Sequence, residues 1–184
     1  MTTCRTIITR SLQLARVVGI GRDPRASESD LGMEVLQGMY DAMFADGMFG
    51  RLTDYYATAN YTAEEGQRII ADGATITVPD VITNDGDPRT PRDLAAIAII
   101  TDTDELNYVF SGGRWELASN LTLDSTAPLA TRDTIGLASL LAIELGATFG
   151  KEPLPATIRR GLSFKGSVSY KLGSTQPVRE GTYY

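Results

Sequence analysis

The sequence predicts a mainly α fold: a helical bundle of about four helices with an inserted small β-rich region and an extended C-terminal arm. Three observations carry this. Two amphipathic segments open the chain and two more help close it. A polar stretch punctuated by Gly and Asp lies between them. After Gly173 the periodicity stops. With 42% of its 184 residues hydrophobic, the chain can build one domain with a core. The expected organisation is a helical body over 1–53 and 124–172, a β-rich insert over 54–123 and a tail over 173–184.

Each element has a reason. Ile7, Ile8, Leu12, Ala15 and Val18 fall on one stripe and predict a helix over 3–18, capped by Thr2 or Thr3 and stopped by Gly19 and Gly21. The second helix spans 27–46. Ser27 and Asp30 have capping-box spacing, and Leu31, Val35, Leu36, Met39 and Met43 form the apolar stripe. That Met-rich stripe reads as core or as an adaptable binding face. In the middle, 54–61 and 67–71 suit strands. NDGDPRTP over 84–91 is a loop signal. Residues 94–101 (LAAIAIIT) form a buried strand or a helical turn, and Ile enrichment favours the strand. Residues 106–110 and 114–117 flank Ser111-Gly112-Gly113 as a hairpin anchored by Trp115.

A third helix is predicted over 130–149, with Ile135, Ala138, Leu141, Ala142, Leu145 and Phe149 on one face. Pro153 or Pro155 opens a fourth. It carries Ile158, Leu162 and Phe164 inward, and Arg159, Arg160 and Lys165 outward. The tail ends in Tyr183 and Tyr184, large side chains with polar tips.

Composition excludes several chemistries. The chain has no His and one Cys, Cys4, so no Ser-His-Asp triad, Cys-His pair or four-cysteine zinc site can form. It needs no oxidising compartment to fold, and a cytosolic origin is the default. No apolar run is long enough to span a membrane. Gly19-Ile20-Gly21 follows a helix and lacks the Lys-Ser/Thr ending of a phosphate loop. The acidic groups Asp80, Asp85, Asp87, Asp93 and Asp102, Asp104, Glu105 lack the spacing of a calcium loop and read as turns. Asp124 and Asp133 read as turn and cap residues rather than a catalytic pair. No enzyme activity, cofactor or metal is expected.

Net charge is −6, yet from Lys151 onward six Lys/Arg face two Asp/Glu, so this part is +4 and the first 150 residues sum to −10. An acidic body with a basic end suits docking on copies of itself or on an acidic partner. The basic residues read equally as a pore lining, an outward pairing face or a solvated surface. The alternative function is a cellular protein-binding or regulatory module without catalytic activity.

Three stretches carry a resemblance: the opening helix pair with LGMEVLQGMYDAMFADG (31–47), WELASNLTLDSTAP (115–128), and RDTIGLASLLAIELGATFG (132–150) with its Pro-started successor. Together they resemble head-to-tail connector (adaptor) proteins of tailed bacteriophages and gene transfer particles. The nearest likeness is the podovirus tail accessory factor that binds beneath the portal. The resemblance implies a structural virion protein at the head–tail junction, assembled in the host cytoplasm. It implies a homo-oligomeric ring of about twelve copies under the portal. Such a ring extends the DNA channel without sequence-specific binding and offers a platform for the next tail protein. It also implies portal contact through Arg159, Arg160, Lys165, Lys171, Arg179, Tyr183 and Tyr184.

Overall fold

A computed structural model describes residues 2–45, 52–79, 82–84, 87–89, 96–128 and 133–173, with side chains left out at 82–84, 87–89 and 168–173. The first helix, α1 (Cys4–Leu14), is capped by the Thr3 hydroxyl, which accepts from the Thr6 N–H at 3.3 Å. Its first turn is pinned by a distant segment. The Cys4 and Arg5 N–H groups donate to the carbonyls of Ser125 and Leu123 at 2.9 and 2.8 Å. Arg5 also pairs with Asp124 at 2.9 Å.

The helix stops earlier than its glycines predict. Ala15 closes it, and Arg16 follows in the left-handed region with φ +63°. The Arg16 N–H donates to the Gln13 carbonyl at 3.1 Å and the Val17 N–H to that of Leu12 at 2.9 Å. These two bonds make the six-residue closing turn usually built on glycine. A side-chain-bearing residue there costs roughly 1–2 kcal/mol, and glycine gives back about 1 kcal/mol in lost backbone entropy. Arg16→Gly is therefore expected to leave stability unchanged or raise it by up to about 1 kcal/mol in urea unfolding.

Helix α2 (Ala26–Ala45) starts with the Glu28 carboxylate accepting from the Arg25 N–H at 2.8 Å. Glu28, not Asp30, is therefore the capping acid. Its buried face runs through Gly32, Met33, Leu36, Tyr40 and Met43. This face is rotated from the predicted stripe, leaving Leu31, Val35 and Met39 half-buried. Gly32 sets the rotation: a Cβ there would lie 2.5 Å from Ile8 Cγ2, so α1 rests directly on α2 at this point. Met33 and Met43 belong to the core.

The middle segment forms a sheet. Strands β1 (Thr53–Ala57), β3 (Gln67–Ala71), β7 (Ala96–Ile100), β8 (Glu105–Ser111) and β9 (Arg114–Leu117) make one mixed sheet in that order. β1, β3 and β7 are parallel, while β7–β8 and β8–β9 are antiparallel. Strands β2 (Tyr61–Thr62) and β4 (Ile76–Thr77) pair in parallel as a second, short sheet. Thr53 is level with Gln67 and Tyr61 with Ile76, so successive turns of chain stack on one another. The return from β1 to the parallel β3 is made through the short strand β2 instead of the usual crossover helix. Ala57, Ala63, Ile69, Ile97, Ile99 and Trp115 fill the apolar centre of this stack. Trp115 meets Phe110 edge-on at 5.4 Å between centroids.

Two expectations about this region are settled. LAAIAIIT supplies a strand, buried from Ala96 to Ile99 at the middle of the sheet. The stretch from 84 to 91 is not simply a loop: β5 (Ile82–Asn84) and β6 (Asp87–Arg89) pair as an antiparallel hairpin.

Helix α3 (Thr134–Thr148) is apolar nearly all round, with Leu137, Ala138, Leu141, Ala142 and Leu145 fully buried. It is the central helix, packed against α1, α2 and α4 (Pro155–Gly173). Ile135, predicted to face inward, is 39% exposed. The helical core also takes Ala96 from β7, Val109 from β8, and Ala118, Leu121 and Ala127 from the segment after β9.

The fold class is therefore α/β, with 45% of the described residues helical and 23% in strands, and not the mainly α bundle that the helical ends predict. The physical reason is the parallel pairing. A strand's partner 14 or 30 residues away leaves no local period in the sequence, whereas an amphipathic helix does.

Candidate assembly surface

Helix α4 begins with Pro155 at its first position, where a missing N–H costs nothing. The Leu154 carbonyl accepts from the Thr157 and Ile158 N–H groups at 2.8 and 3.1 Å. The buried face is Thr157, Gly161 and Phe164. At Gly161 the two helices touch backbone to backbone: a Cβ there would lie 2.9 Å from the N and Cα of Leu140. Phe164 then fills the space over Gly136, where a Cβ would lie 2.5 Å from its ring. This close approach turns Leu162 outward, at 58% exposure, against the prediction that it packs inward.

The predicted contact residues divide into two groups. Arg159, Arg160 and Lys165 are exposed on α4. They do not form one stripe: at about 100° per residue, Lys165 lies roughly 240° round the helix from Arg159. Lys165 instead borders a groove of about 300 Å³ with Val35, Gly38, Met39, Ala42, Leu140 and Glu144. Lys171 is on α4, its side chain not described. Arg179, Tyr183 and Tyr184 lie outside the described residues.

A larger concave surface was not anticipated. The outer face of α1, the loop after it and the start of α4 enclose a groove of about 860 Å³. Arg5, Arg10 and Arg16 line it, with Leu14, Val18, Ile20 and Leu154 as its apolar part, and among the described residues no carboxylate contributes. Ile20 is 94% exposed and Leu154 54%. The available signal was local. The first 25 residues hold five Arg and one Asp, a balance hidden by summing charge over 150 residues.

The helices are segregated by charge. α1 and α4 carry Arg or Lys and no acid, while α2 carries Glu28, Asp30, Glu34 and Asp41 and no base. Asp30, Glu34 and Asp41 are exposed and fall within about 40° of one another around the helix.

The acidic turn at 101–104 is accounted for by local hydrogen bonds. In the 101–104 turn the Asp104 N–H donates to Thr101 Oγ1 at 3.0 Å and Thr103 Oγ1 to Asp104 Oδ2 at 2.9 Å. Among the described residues no group of three or more acidic or Cys side chains is placed to hold a metal ion. Asp80, Asp85 and Asp93 lie outside them. No described helix is long and apolar enough to cross a membrane.

Cys4 is fully buried, and its thiol is pushed up from 9.0 to about 12, first by burial and then by the nearby Glu116 charge. Tyr40, also fully buried, is raised well above its usual value, first by burial and then by Cys4. A thiol held neutral is a poor nucleophile. Because the folded value exceeds the unfolded one, the Cys4 contribution to stability is complete below pH 9 and is lost as pH rises toward 12. Alkylation of Cys4 at pH 8 is expected to track global unfolding, measured against urea, and not to proceed from the native state.

No protein-family model matches the chain, and neither does any curated protein.

Proposed function

We propose that the chain is a structural component of a head-to-tail junction: an adaptor that assembles as a ring on a portal protein and offers a platform for a tail protein. The observation that carries this reading is the separation of charge among the helices, joined to exposed apolar side chains at Ile20, Leu154 and Leu162. Such surfaces suit contacts between copies and partners. In this reading α4 and the segment after it form the portal contact. Arg159 and Arg160 meet an acidic partner surface, and Lys165, Lys171, Arg179, Tyr183 and Tyr184 extend the contact toward the C terminus. DNA passes through the ring without base-specific contacts.

The test is docking of the purified chain on its portal partner, read by co-sedimentation. Removal of residues 173–184 is expected to abolish docking while circular dichroism shows helicity within a few residues of the parent. Docking at full strength without 173–184 would contradict the placement of the portal contact.

A further inference from the structure

We infer that the arginine-lined groove on α1 receives the acidic stripe of α2 from a second copy of the chain. This deepens the ring reading and rests on it: it names the two surfaces that meet between neighbours.

Charge complementarity is the first argument. Arg10 and Arg16 line the groove, are exposed and make no ion pair among the described residues. Asp30, Glu34 and Asp41 form an exposed stripe on a helix without a single base. Arg5 is already held by Asp124, so it marks the end of the groove and leaves Arg10 and Arg16 to meet the incoming carboxylates.

Arg16 supplies an independent argument. It occupies a helix-closing position with φ +63°, where glycine is the residue free of strain. A strained residue is retained where its side chain is used. Here that side chain lines the groove.

Apolar contact supplies the rest. Ile20, 94% exposed at the groove, is a knob beside Arg16. Alongside the acidic stripe, Val35, Gly38, Met39 and Ala42 line the groove of about 300 Å³, where two small residues leave room for an aliphatic side chain. Charges at a wet rim set register and partner choice, while the buried apolar contact holds the pair. The two surfaces differ, so the contact is heterologous: each copy that offers its stripe keeps a free groove, and the assembly grows until it closes. The apolar part of the groove also favours a protein occupant over a phosphate backbone, which would leave Ile20 and Leu154 uncovered.

The experiment uses the full chain and sedimentation velocity from micromolar to millimolar concentration, at low and high salt. The parent chain is expected to associate, less so at high salt. R10E/R16E and D30R/E34R are each expected to weaken association at least tenfold. The fourfold variant R10E/R16E/D30R/E34R is expected to recover it and to exclude the parent chain from mixed species. Thermal unfolding matching the parent checks that each variant folds. If the paired variants associate as strongly as the parent, the two surfaces are wrong and the ring reading stands. If the parent is monomeric throughout and forms no ring on the portal, the ring reading falls and this inference with it. Arginine-dependent binding of an oligodeoxynucleotide without self-association would also overturn it.

Discussion

Leu141→Ala is expected to destabilise the protein by about 2–5 kcal/mol, measured by urea unfolding. Leu141 is fully buried at the middle of α3, the helix that α1, α2 and α4 all pack against. Leu137 and Leu145, one turn away on each side, are equally buried. The cavity would therefore open inside a layer bounded on every side by other elements, with little freedom to collapse. Isosteric Leu141→Met is expected to cost less than about 1.5 kcal/mol, because it keeps the volume. Equal losses for the two variants would show that α3 is not the centre of the core.

Gly161→Ala and Gly166→Ala make the same chemical change on the same helix and are expected to act in opposite directions. A methyl at Gly161 would meet the backbone of Leu140 at 2.9 Å, and a backbone cannot turn aside as a side chain can. Overpacking costs about 1–3 kcal/mol, against a gain of about 1 kcal/mol in helix propensity, so a net loss of up to about 2 kcal/mol is expected. At Gly166 a methyl meets nothing within 4 Å, and a gain of up to about 1 kcal/mol is expected. Melting temperatures of the two variants decide this. If Gly161→Ala were as stable as Gly166→Ala, α4 would not be seated on α3 through Gly161. Because α4 carries the proposed portal contact, Gly161→Ala is also expected to weaken docking without touching a charge.

What was legible in the sequence follows from the range of each interaction. The helices announce themselves through a local period, and α1, α2, α3 and α4 all lie within a few residues of where that period places them. The faces they bury are less legible, because glycine carries no hydrophobic signal. Gly32 against Ile8 rotates α2, and Gly161 against Leu140 turns Leu162 to solvent. The end of α1 was misplaced for a related reason. Arg16 takes a conformation normally marked by glycine, and Gly19 stood three residues later as a false marker. The hairpin over β8 and β9 was readable from its turn, but the parallel pairing of β1, β3 and β7 was not. That pairing is what makes the fold α/β.

The candidate surface shows the same division. Arg159, Arg160 and Lys165 were found as an exposed basic set, yet the turn of the helix separates Lys165 from the other two. The groove on α1 needed the structure, since Leu154 reaches it from a segment about 140 residues away from α1. The acidic stripe on α2 was present in the sequence as three carboxylates at helical spacing, but its meaning depends on which face α2 buries.

The most direct test of the central claim is electron microscopy of the chain bound to its portal partner. The adaptor reading predicts a closed ring of copies coaxial with the portal, with α4 directed at the portal and the channel continuous through both. A single copy bound to a compact partner, or no ordered assembly on the portal, would contradict it.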